Sequence, residues 1–149
     1  ASGSLGMAGG QAIDLANVGK AMNQAALEQM HSLKTGALIR AAVALGALSC
    51  PDVDDEGLVR LDDYARKIGL AFQVIDDVLD CEADTATLGK TAGKDADADK
   101  PTYVKLMGLP QARAYAEALV AEAVAALAPF GEKAAHLRSL AEFITERKH

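Results

Sequence analysis

The sequence predicts an all-α fold. Alanine is abundant, aromatic residues make up 4% of the chain and tryptophan is absent, a mix that favours closely packed helices over sheet. No run of alternating β-branched residues is long enough for a convincing strand. Apolar residues instead recur every three or four positions, as on one face of a helix. The 149 residues suffice for one domain, taken as 1–149, with half of them hydrophobic and 24% charged, as in an ordinary globular protein.

The first ten residues are small and Gly-rich and lead into Gln11-Ala12-Ile13-Asp14-Leu15, the end of a helix. The abrupt start suggests the interior of a longer protein. Asn23 suits an N-cap. The helix after it runs to about Leu48, with a core stripe of Leu27, His31, Lys34, Leu38, Ala41, Leu45 and Leu48. An ammonium group on a core face costs several kcal/mol unless a partner compensates, so Lys34 is expected at a pocket rim. His31 reads more simply as a hydrogen-bonded core residue than as a ligand.

Pro51 closes that helix, and Asp54 or Asp55 caps the next. Its core stripe is Leu61, Ala65, Ile68, Phe72, Ile75 and Leu79, and it extends to about Ala83. From Asp84 to Lys100 the chain is rich in Gly, Thr, Asp and Lys and reads as a loop; loops of that length are commonly lids or disordered. Pro101 and Thr102 open a short helical segment to about Leu109, and Pro110 suits the first turn of another helix. Tyr115, Leu119, Ala123 and Leu127 form its buried face, and Pro129 and Gly131 interrupt it. A final helix uses Ala134, Leu137, Leu140 and Ile144 and reaches the basic end Arg147-Lys148-His149.

The chemistry is concentrated in Phe72-Gln73-Val74-Ile75-Asp76-Asp77-Val78-Leu79-Asp80. On a helix Asp76 and Asp80 share a face one turn apart, with Asp77 beside Asp76. Like charges at that spacing repel, whereas a hard divalent cation reverses the sign. Mg²⁺ is usually held by one or two carboxylates, waters and substrate phosphates. The plainer reading is a solvated acidic helix end, since Glu82 and Asp84 follow. Against it, Gly69, Gln73, Asp76 and Asp80 form a polar stripe directly bordering the apolar one. A magnesium-bridged phosphate ligand is the expectation.

Composition excludes several classes. The net charge is −6, and no basic stripe interleaved with aromatics appears, so nucleic acid is not an expected partner. Cys50 and Cys81 are too few and isolated for a disulfide framework or a zinc site, consistent with a reducing cytoplasm. No apolar run reaches the roughly 18 residues of a membrane span, and no signal peptide is recognisable, so an integral membrane protein is not expected.

Five ordered segments resemble the trans-isoprenyl diphosphate synthases, of the bacterial farnesyl and geranyl diphosphate synthase type. They are Gly9-Gly10-Gln11 with Asp14-Leu15; His31-Ser32-Leu33-Lys34-Thr35-Gly36-Ala37-Leu38; Gly69 through Asp80; Asp84-Thr85-Ala86-Thr87-Leu88-Gly89-Lys90; and Asp99-Lys100-Pro101-Thr102-Tyr103. The resemblance implies antiparallel helices around a cavity, usually in a homodimer. It also implies a prenyltransferase in which an allylic diphosphate ionises and the double bond of isopentenyl diphosphate attacks the cation, giving farnesyl or geranyl diphosphate. In that family Mg²⁺ bridges the allylic diphosphate to two Asp-rich motifs. Asp76, Asp77 and Asp80 match the second, with Asp76 foremost as a ligand. Lys34, Lys90 and Lys100 match lysines that approach the allylic diphosphate. Thr35 and Gln73 match polar groups that stabilise the cation, and Gln73 also borders the substrate.

The first Asp-rich motif and its arginine have no counterpart here, nor do the basic residues for isopentenyl diphosphate. Asp52-Val53-Asp54-Asp55 is more simply a cap, and Asp62-Asp63 lacks a third carboxylate. The expectation is therefore the C-terminal half of a synthase, inactive by itself, whose product length is set by residues outside this sequence. A non-catalytic subunit of a heteromeric synthase and a plain helical interaction protein are the competing readings.

Overall fold

The computed structural model describes the backbone of residues 1–87 and 100–147, and side chains except those of residues 84–87. All regular structure among these residues is helical. The order is α1 (Met7–Ala16), α2 (Gln24–His31), a π-turn (Ser32–Gly36), α3 (Ala37–Leu48), α4 (Asp55–Thr87), α5 (Tyr103–Met107), α6 (Leu109–Ala126), a 3₁₀ segment (Ala128–Ala134) and α7 (Ala135–Glu146). No single helix among them is long and apolar enough to cross a membrane.

Local chemistry sets the helix starts. The Asn23 side chain accepts from the Ala26 amide at 2.9 Å, and Asp54 from the Gly57 amide at 2.8 Å, which satisfies donors that a helix start leaves open. Thr102 does the same for Lys105 at 3.2 Å. Pro110 occupies the first turn of α6, where its missing N–H is no loss.

The axis of the molecule is α4, 33 residues or about 50 Å long. It packs most extensively on α6 and then on α3. Leu61, Ala65, Ile68 and Ile75 of the expected stripe are buried, together with Tyr64, Ala71, Val74 and Val78; Phe72 and Leu79 pack against that core. The opposing face of α6 is small: Ala112, Ala116 and Ala123 are fully enclosed, beside Leu119 and Leu127, while Tyr115 is only half-buried. Tyr64 donates from its hydroxyl to the Leu137 carbonyl at 2.8 Å, which ties α4 to α7.

Three expectations are corrected. The stripe expected through α2 and α3 breaks at the π-turn: Leu38, Leu45 and Leu48 are 43%, 68% and 69% exposed. A π-turn inserts one residue into the helical frame, so the inward face continues as Ile39, Val43 and Ala47. In α7 the inward residue is Ala141, not Leu140, which is half exposed. The expected loop from Asp84 also begins later, because α4 continues to Thr87. No Gly or Pro stands between Ala83 and Thr87 to stop it. The remainder of that expected lid, with Lys90 and Lys94, lies outside the described residues.

The closest approach between segments explains a glycine. A Cβ on Gly10 of α1 would lie 2.2 Å from the Lys34 backbone nitrogen and 2.5 Å from its Cα. Both obstacles are backbone and cannot rotate away. Gly10→Ala should destabilise the full-length protein by about 1–3 kcal/mol, the usual cost of overpacking. Urea denaturation checks this, and an unchanged midpoint would show that α1 is free to move off the π-turn.

Candidate active site

Three segments converge on the acidic turn of α4. The first is the contact of α1 with the π-turn. Lys34 Nζ donates to Asp14 Oδ2 at 2.6 Å, with Asp14 nearly enclosed and the lysine side chain about a third exposed. This is the partner that a lysine on a core stripe requires. The π-turn aims Lys34 towards α1 and seats buried Gly36 against Gly69 of α4, whose Cβ would stand 3.3 Å from the Gly36 Cα. Thr35 lies in the same turn and is half-buried.

The second segment is the start of α5. The Tyr103 amide donates to Asp77 Oδ2 at 2.8 Å. Burial pushes the Asp77 carboxyl up to about 6 against that hydrogen bond, and the charges of Asp76, Asp80 and Asp14 push it the same way. Asp77 is thus both a tie between α4 and α5 and a member of the acidic cluster.

The third segment follows α7. Arg147 Nη2 donates to Asp76 Oδ1 and, at 3.1 Å, to the Phe72 carbonyl. Its guanidinium carbon lies 4.1 Å from the centre of the Phe72 ring, a cation–π contact. Gln73 donates from Nε2 to Asp76 Oδ2 at 3.1 Å. Burial raises the Asp76 pKa, and the bond and charge of Arg147 oppose it. Arg147 was not foreseen as a site residue; in the sequence it is one of a basic cluster at a helix end.

His31 joins these groups. It is 7% exposed; among the described residues neither ring nitrogen meets a partner within full hydrogen-bond geometry, and Gln73 is the side chain placed to bond it. Burial lowers its pKa to about 4, with Gln73 opposing and Lys34 adding to the fall, so it is a neutral ring at ordinary pH. It stacks on Tyr103 with centroids 5.6 Å apart. Asp14, Lys34 and Gln73 all act on its charge, which places two of the expected site residues, Lys34 and Gln73, beside one buried ring.

The expected site residues divide as follows. Lys34, Gln73, Asp76 and Asp77 share one neighbourhood. Asp80 stands on the exposed rim, one turn beyond Asp76. Lys100 is exposed and gives its carbonyl to Lys105 Nζ at 2.8 Å. Lys90 lies outside the described residues. Among the described residues no three His, Cys, Asp or Glu side chains converge as a complete metal shell. The donor set nonetheless fits Mg²⁺, which takes one or two carboxylates and fills its remaining positions with water and phosphate. An arginine drawn onto Asp76 shows that this turn attracts positive charge.

The polyprenyl synthetase family profile matches residues 1–141. This chain belongs to that family. It is 51% identical to the farnesyl diphosphate synthase of Escherichia coli K12 over 99% of its own length and 50% of that protein. It superimposes on an apo FPP/GFPP synthase from Zymomonas mobilis with a TM-score of 0.80 and 40% identity, covering 96% of this chain and 46% of the other. A geranyltransferase from Helicobacter pylori, complexed with magnesium and isoprenyl diphosphate, aligns with a TM-score of 0.67 and 32% identity over 95% of this chain and 44% of that one. The chain therefore spans about half the length of the relatives it matches. The all-helical architecture is that of these synthases.

Tyr103 offers a test of this packing. Its ring is fully buried, and its hydroxyl has no hydrogen-bond partner among the described residues. An unsatisfied buried hydroxyl costs about 1–3 kcal/mol. Tyr103→Phe should therefore leave stability unchanged or raise it by up to about 1 kcal/mol, with the ring stack on His31 retained. A clear fall in the thermal midpoint would reveal a partner for that hydroxyl.

Proposed function

We propose that the chain supplies the second aspartate-rich half of a magnesium-dependent prenyltransferase that condenses an allylic diphosphate with isopentenyl diphosphate, yielding farnesyl or geranyl diphosphate. The observation that carries this reading is the juxtaposition of Asp76 and Asp77 on α4 with Lys34 and Gln73, in a member of the polyprenyl synthetase family. The magnesium-bound geranyltransferase among its structural neighbours supports the same assignment.

In this reading Asp76, Asp77 and Asp80 hold Mg²⁺. Held by these carboxylates, Mg²⁺ would supply charge neutralisation for a departing pyrophosphate. Lys34 adds a fixed positive charge on the same side, held in place by Asp14 rather than left to swing. Such preorganised charge acts on the transition state more than on the ground state. Gln73 and Thr35 present polar atoms to the allylic cation, and His31, kept neutral by burial, adds no opposing positive charge beside them. Lys100 is assigned to the diphosphate in the same reading; Lys90, assigned with it, lies outside the described residues. The whole protein is a homodimer working in the cytoplasm.

Asp76→Ala in the full-length protein should lower turnover about 100-fold or more, the scale of losing a metal-supported charge contact. Incorporation of labelled isopentenyl diphosphate measures it, and unchanged turnover at saturating Mg²⁺ would remove Asp76 from the site. The 149-residue chain alone should yield no condensation product in the same assay. Product formed by this chain by itself would overturn its reading as half of the catalytic unit.

A further inference from the structure

His31 is a buried polar side chain held on two sides. It lies where α2 gives way to the π-turn. On one side its ring stacks on Tyr103, with centroids 5.6 Å apart and planes inclined by 28°. Tyr103 is itself fully enclosed and leans on Tyr115, with centroids 6.1 Å apart. The Tyr115 hydroxyl donates to Glu28 Oε1 at 2.8 Å, and Glu28 lies one turn before His31 on α2. These contacts run from α2 through α5 and α6 and back to α2, so the His31 ring is wedged in one pose. On the other side stands Gln73 of α4. Its Nε2 donates to Asp76 Oδ2 at 3.1 Å, which leaves Oε1 as the acceptor for a ring N–H. Gln73 favours a proton on the ring, as a carbonyl acceptor does.

A side-chain amide has two orientations that exchange its donor and its acceptor. With Gln73 reversed, its oxygen would meet the Asp76 carboxylate and its NH₂ would meet the ring N–H. Both contacts would then repel. We propose that His31 is a positioning residue for the condensation, its wedged ring holding the Gln73 amide in a single orientation beside the reacting carbons. This rests on the reading of the chain as part of a prenyltransferase. Asp76 alone is a weaker guide, because its carboxylate also serves Arg147. The ring is enclosed and neutral, so it orients the amide without placing a positive charge beside a developing cation. A polar group fixed in advance acts on turnover more than on substrate binding.

The test uses the full-length protein in steady-state condensation assays and in ¹⁵N NMR of the imidazole nitrogens. His31→Phe keeps a ring against Tyr103 and removes the N–H. It should lower kcat about 10- to 100-fold, the scale of a misplaced reacting group, with KM for both diphosphates within about twofold of wild type. His31→Gln can still donate an N–H and should recover part of the rate. Adding His31→Phe to Gln73→Met should lower kcat no further than Gln73→Met alone, because the two residues act as a unit. Gln73→Met should also shift the His31 ring nitrogens, whose signals are those lost in His31→Phe or His31→Gln. Full turnover in His31→Phe, losses that multiply in the double variant, or ring nitrogens unmoved by Gln73→Met would each overturn the positioning role while leaving the prenyltransferase reading standing. A full-length protein that forms no condensation product would overturn that reading instead, and the ring-nitrogen shift would still decide whether His31 bonds Gln73. Should His31→Phe not fold, His31→Gln and Gln73→Met carry the comparison.

Discussion

Carboxylates at the edge of an apolar core have to be compensated, and most of the site follows from how this chain does so. Asp14 is compensated by Lys34, Asp77 by the Tyr103 amide and Asp76 by Arg147 and Gln73. Lys34, the Tyr103 amide and Arg147 come from three different segments, so satisfying the acids also fixes the π-turn against α1, and α5 and the end of α7 against α4. The residues suited to chemistry are held by the same bonds that organise the tertiary structure. Removing one member leaves a partner charge stranded in a poorly solvated place, which is costlier than losing a surface pair.

The π-turn is the second device. An unbroken α-helix from Asn23 to Leu48 would hold one face towards α4 throughout. Widening one turn at Ser32–Gly36 lets His31 stay buried, turns Lys34 towards α1 and brings Gly36 against Gly69. Such widened turns recur at functional sites, and here the geometry shows a reason: a single extra residue changes which side chains face the neighbouring helices. The same shift leaves Leu38, Leu45 and Leu48 facing outward. Leu5 and Leu15 are exposed as well.

Much of this was legible in the sequence. The helical period of α4, the caps at Asn23 and Asp54, and the acidic turn bordering a core face all follow from local spacing and side-chain chemistry. The need of Lys34 for a partner was legible too, but not the partner. Asp14 is 20 residues away, and only the packing of α1 on the π-turn, permitted by Gly10, brings it near. The break in the α3 stripe was hidden because a π-turn has no strong composition signal: Ser32-Leu33-Lys34-Thr35-Gly36 is compatible with ordinary helix apart from its glycine. Leu140 and Ala141 changed roles because a stripe can step by three or by four, and the larger residue is not always the inward one. Arg147 was the least legible, because a basic residue at a helix end is ordinarily a favourable and exposed companion of the helix dipole.

The charges around α4 also constrain what the site can receive. Asp14 is paired with Lys34 and Asp76 with Arg147, while Asp80 adds negative charge beside Asp77. With Lys34 matched to Asp14 and Arg147 to Asp76, the surplus at this turn is negative. A bare diphosphate would be repelled from it. A diphosphate that arrives with divalent cations presents positive charge to the aspartates and oxygen atoms to the lysines, which reverses the sign of the encounter. In the proposed reading, divalent metal that accompanies a polyanionic substrate would offset the negative charge of this turn.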